Sequence, residues 1–114
     1  MASLMLLFSL RINAQNERML LLESFTNTGC GPCAAYNPAM DALIAANPDK
    51  VIAIKYHVNW PSANDPMYLH NTTENGARTS YYGVNTEPHV DTDGNRYDGG
   101  PNQLNHNLIH QFHD

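Results

Sequence analysis

The stretch of sequence that decides the fold runs from Met19 to Cys33 and reads MLLLESFTNTGCGPC. It opens with an apolar run, Met19 to Leu22, that predicts a buried strand. It closes with the only two cysteines of the chain, Cys30 and Cys33, and the residues that follow, 34–46, predict a helix. A C-x-x-C pair between a strand and a helix is typical of a dithiol–disulfide redox site.

The spacing of the two cysteines suits reversible disulfide chemistry. Cys30 falls near the predicted helix N-cap, where unpaired backbone N–H groups and the helix dipole favour a thiolate. Because the thiolate is the attacking species in disulfide exchange, we predict that Cys30 is the exposed nucleophile and Cys33 the buried resolving thiol. Pro32 suits the first helical turn, where the N–H that it lacks has no partner.

Other interpretations of the pair stay open. C-x-x-C is also half of a zinc site, but such a site needs four ligands, and no histidine stands at the required spacing. A purely structural disulfide is possible, although so short a loop constrains the unfolded chain little. His106, His110 and His113 share one predicted helix face that could bind a metal ion weakly, and most such clusters are solvated faces. We predict no metal site and no bound cofactor.

Length and composition indicate one domain with a modest core. The chain has 114 residues, of which 42% are hydrophobic, and we predict that residues 15–114 form a single domain. The net charge of −5 and the lack of a basic stripe argue against a nucleic-acid partner.

The N-terminal residues predict export. Met1 to Leu10 is almost wholly apolar, and Ile12-Asn13-Ala14 before Gln15 is compatible with a cleavage site, so residues 1–14 are predicted to be the remnant of a signal peptide. The expected location is the periplasm or cell envelope. No Lys or Arg precedes Arg11, and the alternative is an N-terminal element of a cytoplasmic protein. The apolar run is too short for a membrane span.

The remaining elements follow from periodicity and turn residues. The predicted elements are strands at 18–25 and 51–58, a hairpin at 89–97, and helices at 34–46, 66–71, 73–82 and from Asn102 onward. The apolar start of the second strand predicts that it is covered on both faces. Pro38 should kink the first helix, Gly83 should end the third, and Asp93-Gly94 should form the hairpin turn.

Two helices carry a predicted apolar face. These faces consist of Tyr36, Met40, Leu43 and Ile44 in the first helix, and Leu104, Leu108, Ile109 and Phe112 in the last.

The order of elements and three local matches resemble thioredoxins. Cys30-Gly31-Pro32-Cys33 is the motif of thioredoxins themselves, and Pro38 stands where they carry the helix-kinking proline. The segment from Tyr82 to Pro88 is similar to the stretch that ends in their cis-proline. The resemblance implies an α/β thioredoxin fold over residues 18–114, with a central mixed sheet flanked by helices in the order β-α-β-α-β-β-α. It also implies that Pro88 is cis and lies beside the disulfide.

Within that superfamily, the chain resembles exported thioredoxin-like proteins of bacterial cell envelopes. The matching residues are Phe25-Thr26-Asn27, His57, Trp60-Pro61, Asp65 to Tyr68 and Arg78 to Val84. The implied activity is thiol–disulfide exchange with disulfides or thiols of protein substrates, supported by an external electron donor. The rival interpretation is a non-catalytic binding or structural module with a stapling disulfide.

The resemblance also implies roles for single residues. Pro88 would shape the substrate groove, with Gly31, Pro32, Trp60 and Glu87 along it; Trp60 could instead cover the core. His57 is interpreted as structural.

Three residues depart from the thioredoxin pattern. Gly29 replaces the usual Trp, and Ser24 stands where thioredoxins have a buried Asp, with Glu23 beside it. Glu23 and Ser24 are both candidates for proton transfer, but strand alternation lets only one face the disulfide. Glu87 replaces an apolar residue or Thr before the cis-proline. If its carboxylate approaches Cys30 it raises the pKa of that thiol, and if it points into solvent it has little effect. The strand after Pro88 is short and polar, which weakens its expected place in the sheet.

Overall fold

A computed structural model describes residues 17–94 and 97–113, without the side chains of 97–99, 106, 112 and 113. The predicted signal-peptide remnant, residues 1–14, lies outside the described residues and stays a prediction. The strands are β1 (Leu20–Thr26), β2 (Val51–His57), β3 (His89–Thr92) and β4 (Tyr97–Gly99). The helices are α1 (Gly31–Ala45), α2 (Pro66–His70), α3 (Thr72–Tyr82) and α4 (His106–His113), with a short 3-10 helix at Pro101–Gln103.

One mixed sheet, in the order β2-β1-β3-β4, carries the fold. β2 runs parallel to β1, which requires the crossover that α1 supplies, and β3 runs antiparallel to β1 with Ser24 opposite Val90. In this arrangement the end of β1 and the start of β3 meet at the same edge of the sheet. Cys30, which follows β1, and Glu87-Pro88, which precede β3, are therefore brought to one place.

Two apolar clusters fill the two faces of the sheet. Leu20 and Leu22 alternate onto the face that α1 and α4 cover, where they pack with Met40 and Ile109. Phe25 lies on the other face with Val58 and Val84, and Tyr56, Trp60 and Tyr82 pack against them. The aromatic cluster lies at the end of β1 that leads into the C-x-x-C loop.

Several local predictions are confirmed. Gly83 ends α3 with φ 63°, and Asp93 and Gly94 have positive φ angles of 45° and 70° in the turn between β3 and β4. Despite its polar sequence, β3 is an inner strand whose residues Val90, Asp91 and Thr92 are buried.

Other local predictions are wrong. β2 is an edge strand and not covered on both faces, since Ile52 and Ile54 are 50% and 41% exposed. Tyr36 is also exposed, whereas Met40, Leu43 and Ile44 pack into the core as predicted. The last helix begins at His106 and not at Asn102, because Leu104 is extended and the Asn105 side chain accepts the Leu108 N–H as a cap.

Within the described ranges, no helix has the length and apolar character needed to span a membrane.

Candidate active site

The two cysteines form a disulfide at the N-terminus of α1. Cys30 is the N-cap residue, with extended backbone angles, and its Sγ accepts the backbone N–H of Cys33 at 3.1 Å. Pro32 lies in the first turn, as predicted. When the bond is reduced, the N–H of Cys33 and the helix dipole both favour negative charge on the Cys30 sulfur.

The prediction that Cys30 is exposed is wrong, but Cys30 is more exposed than Cys33, as predicted. Cys30 is 6% exposed and Cys33 is 2% exposed, so both are buried. Gly31 and Pro32 between them are exposed. Of the two buried cysteines, Cys30 is therefore the slightly more exposed one.

Asn27 fixes the loop that leads into the disulfide. Its side-chain oxygen accepts the N–H groups of Gly29 (2.8 Å) and Ser62 (3.2 Å). Its amide nitrogen donates to the carbonyl oxygens of Val58 (2.7 Å) and Ser62 (3.0 Å). All four hydrogen-bonding positions of the buried amide are thus used, and they tie the C-x-x-C loop to the loop after β2.

Gly29 lies at a close approach between these two loops. A Cβ at this position would lie 3.0 Å from the Cβ of Ser62 and 3.5 Å from Cγ of Pro61. A side chain at this position would require Ser62 to shift by a few tenths of an ångström, which favours glycine at this close approach.

Asp65 anchors the same region from the start of α2. Its two carboxylate oxygens accept the backbone N–H groups of Thr28 (2.8 Å), Met67 (2.8 Å) and Tyr68 (3.0 Å). The side chain is fully buried, and it pairs with Nδ1 of His57 at 2.7 Å, so this nitrogen carries a proton. Burial alone would raise the pKa of Asp65, but His57 and the backbone donors hold it well below its usual range.

A groove of about 510 Å³ opens beside the disulfide. Its lining residues are Thr26, Asn27, Thr28, Cys30, Cys33, Ala34, Asn37, Lys55, His57, Met67 and Asn75. Met67 is 59% exposed and offers an apolar contact at its rim. The residues predicted along the substrate groove are not among these lining residues; they are Gly31, Pro32, Trp60, Glu87 and Pro88. Trp60 packs against Phe25, Val58 and Val84, so it covers the core, which was the alternative prediction for this residue.

Glu87 lies next to the disulfide on the segment before β3. The peptide bond between Glu87 and Pro88 is cis, as the resemblance implied, and so is the bond between Trp60 and Pro61. A carboxylate oxygen of Glu87 and the sulfurs of Cys30 and Cys33 all lie within 4.8 Å of one another. Of the two alternatives that the sequence left open for Glu87, the structure therefore has the carboxylate close to Cys30 and not directed into solvent. In the oxidised state described here the two sulfurs are bonded to each other, so these three side chains offer no thiolate ligands to a metal ion.

The carboxylate of Glu87 has an uncommon environment. Both of its oxygens are buried, and neither has a hydrogen-bond partner in residues 17–94 and 97–113. Burial, and secondly the negative charge of Asp65, raise the pKa of Glu87 to about 7.

Glu23 does not face the disulfide. Its carboxylate accepts hydrogen bonds from Tyr56 (3.1 Å), Arg78 Nε (3.0 Å) and the hydroxyl of Tyr82, on the face that α3 covers. Burial would raise the pKa of Glu23, but these donors hold it below its usual range. Ser24 points to the opposite face, fully buried, and its hydroxyl has no partner in the described part of the chain.

Two residues of the site, Asn27 and Asp65, were not predicted from the sequence. Asp65 before Pro66 is a recognisable N-cap pattern, and Asn27 two residues before Gly29 is a recognisable Asx turn. These local signals indicate a cap and a turn, but they do not indicate that the two side chains hold the C-x-x-C loop.

Comparisons with known proteins identify the fold. The chain matches no protein-family model and no curated protein. A solved structure of tryparedoxin II complexed with glutathionylspermidine has a TM-score of 0.51 and 17% identity, covering 68% of this chain and 62% of that one. Tryparedoxin II from C. fasciculata has a TM-score of 0.50 and 19% identity, covering 65% and 57%. The chain thus spans less than two thirds of the length of these neighbours. The likeness, with the observed order of elements, confirms the predicted thioredoxin fold.

Proposed function

We propose that this chain is a thiol–disulfide oxidoreductase that uses Cys30 and Cys33 to exchange electrons with disulfides or thiols of protein substrates. The observation that carries the proposal is the Cys30–Cys33 disulfide at the N-terminus of α1, beside a groove of about 510 Å³, on a thioredoxin fold. A disulfide at a helix N-terminus is suited to repeated reduction and oxidation, because the helix dipole stabilises the cysteine thiolate that leaves or attacks.

The reaction proceeds in two exchanges. The Cys30 thiolate attacks one sulfur of the substrate disulfide, so that a mixed disulfide forms and the other substrate sulfur leaves as a thiolate. Cys33 then attacks Cys30 Sγ, which closes the Cys30–Cys33 bond and releases the second substrate sulfur. The substrate gains two electrons, and a donor thiol of the cell restores the dithiol.

The surroundings of the disulfide favour a polypeptide substrate. Gly31 and Pro32 are exposed beside the sulfurs, and Met67 gives the groove an apolar rim. Substrate contacts of Gly31, Pro32, Pro88 and Glu87, together with any contact of Trp60, stay predictions.

The test is dithiothreitol-driven reduction of insulin. We expect the wild-type chain to accelerate the reaction well above dithiothreitol alone, and Cys30→Ser to remove the acceleration, since the attacking thiolate is lost. Cys33→Ser should accumulate a mixed disulfide with insulin that can be isolated under non-reducing conditions. Ser80→Ala, which leaves the cysteines and the groove intact, is the matched control.

The rival proposal, a binding or structural module with a stapling disulfide, gives a different result. Dithiothreitol would then reduce insulin at the same rate with the wild-type chain, with Cys30→Ser and with neither protein present. Only the stability of the fold would respond to loss of the disulfide.

We further propose that the protein works outside the cytoplasm, in the periplasm or cell envelope. The support is the apolar run from Met1 to Leu10, the segment Ile12-Asn13-Ala14 before Gln15 that is compatible with a cleavage site, and the sequence resemblance to envelope proteins. N-terminal sequencing of the mature protein from fractionated cells tests the proposal. A mature chain that begins near Gln15 in the envelope fraction supports it, and an intact N-terminus in the cytosol contradicts it.

A further inference from the structure

Resolution of a mixed disulfide requires that Cys33 lose a proton, because only a thiolate attacks. A base close to this buried thiol would accelerate the step. The two candidates predicted from the sequence do not fill this place. Glu23 is turned to the α3 face and held by Tyr56, Arg78 and Tyr82, and Ser24 offers only a hydroxyl.

Glu87 is in the required position. Among the described residues, it is the only Asp, Glu or His with a ligand atom that falls within 4.8 Å of both sulfurs. This separation can be spanned by direct contact after small movements of the reduced thiols, or by one water molecule.

The carboxylate of Glu87 is also free to accept a proton. Both oxygens are buried without a hydrogen-bond partner in residues 17–94 and 97–113, whereas those of Asp65 are occupied by donors. A buried carboxylate without donors is less stable than a solvated one, which makes it a stronger base.

We propose that Glu87 is the general base that deprotonates Cys33 when the mixed disulfide is resolved, a role that rests on the thiol–disulfide exchange proposed above. The Glu87 carboxylate takes the proton from the Cys33 S–H. The Cys33 sulfur attacks Cys30 Sγ, the Cys30–Cys33 bond forms, and the bond from Cys30 to the substrate sulfur breaks. The leaving substrate thiolate takes up one proton, from Glu87 or from solvent, and the carboxylate is restored.

The electrostatics agree with this role. Burial, followed by the charge of Asp65, raises the pKa of Glu87 to about 7, where a base is most effective near neutral pH. The titratable groups that surround or flank it are Cys30 and Cys33 at the start of α1, Asp65 with its partner His57, and His89, which pairs with Asp91 at 3.1 Å.

The experiment separates the two exchanges with Ellman's reagent in a stopped-flow instrument. When the Cys30 thiolate of the reduced protein attacks the reagent, one thionitrobenzoate is released and the other stays bound to Cys30 as a mixed disulfide. The second thionitrobenzoate is released when Cys33 attacks Cys30 Sγ and resolves this mixed disulfide. Because thionitrobenzoate is a stable anion, its departure needs no proton, so the second phase reports the deprotonation of Cys33. Cys33→Ser should release only one equivalent and identifies the phases.

We expect Glu87→Gln to slow the second phase about 100-fold at pH 7, a typical contribution of a general base. The first phase should not slow, because removal of a negative charge near Cys30 favours its thiolate. The wild-type second phase should rise with an apparent pKa near 7, and Glu87→Gln should lose this step. Glu87→Asp, which keeps the carboxylate, should restore part of the rate.

A faster second phase in Glu87→Gln than in the wild type overturns the proposal. If Glu87 acts only through its charge, Glu87→Gln lowers the pKa of Cys33 and accelerates the second phase. An unchanged rate and pH profile would also exclude a base at this position. If the wild-type chain does not accelerate insulin reduction, the proposed function itself is wrong. If the wild-type chain accelerates insulin reduction but Glu87→Gln leaves the second phase unchanged, only the role of Glu87 is wrong.

Discussion

Two buried carboxylates, Glu23 and Glu87, lie in opposite environments. Glu23, on the face covered by α3, accepts hydrogen bonds from Arg78 and two tyrosines, and its pKa is lowered. Glu87, beside the disulfide, has no partner in the described part of the chain, and its pKa is raised to about 7. A carboxylate whose lone pairs are all used stabilises the fold, while one that is left without donors is available for chemistry.

The largest expected effect comes from the satisfied carboxylate. Glu23→Gln should lower the free energy of unfolding by about 2–3 kcal/mol at pH 7, because it leaves Arg78 without its counter-charge. This loss is at or slightly below the lower end of the range for broken buried ion pairs, because Arg78 is partly exposed. Urea unfolding measures the loss.

Glu74→Gln is the matched control for this change. Glu74 lies on the same helix as Arg78, but it is exposed, and its side chain accepts a hydrogen bond from Asn71, so its replacement should change stability by less than about 0.5 kcal/mol. If Glu23→Gln were as neutral as this control, the hydrogen bonds that Glu23 accepts from Tyr56, Arg78 and Tyr82 would not stabilise the fold.

A smaller loss should follow when one donor to Glu23 is removed. Tyr82→Phe keeps the ring and deletes the hydroxyl that bonds the carboxylate, which should cost about 1.5 kcal/mol, as for hydrogen bonds to charged groups. Its neighbour Tyr81 is 69% exposed, and Tyr81→Phe should have almost no effect. Thermal or urea unfolding compares the two variants directly, and equal losses would contradict the special role of Tyr82.

The sequence predicts where Glu87 lies along the fold, but not the contacts of either carboxylate. The order of elements brings the residue before Pro88 to the end of β1, but it does not determine whether the Glu87 side chain points to Cys30 or into solvent. The surroundings of Glu23 are not predictable either, because its partners Arg78 and Tyr82 are 55 and 59 residues away. Alternation along β1 shows that Glu23 and Ser24 face opposite sides, but it does not show which side the active-site helix covers.

The same limit applies to the rest of the site. Asn27 bonds Val58 and Ser62 across 31 and 35 residues, and such contacts depend on how two loops dock. The edge position of β2 also escapes the sequence, since the run Val51 to Ile54 is equally apolar in an inner strand. Local signals therefore give the elements and the position of the disulfide, while the polar contacts around it need the tertiary structure.

The smallest expected effect distinguishes the two carboxylates by the sign of their pH dependence. Because the pKa of Glu23 is lowered by folding, its stabilisation is present above its unfolded pKa of about 4 and is lost as the pH falls. The pKa of Glu87 is raised to about 7, so its contribution is fully present below about pH 4 and is lost as the pH rises to 7.

Glu87→Gln should therefore gain stability over the wild type as the pH rises from about 4 to 7, and the difference should stay constant above 7. The rise should be on the order of 1 kcal/mol, less than full linkage gives, because the residue is partly exposed to solvent. Urea unfolding of the oxidised proteins from pH 4 to 8 measures this difference without titration of the thiols. A flat difference for Glu87→Gln would mean that its carboxylate is as well solvated as that of Glu74, and the contrast with Glu23 would then reduce to one buried carboxylate and one surface carboxylate.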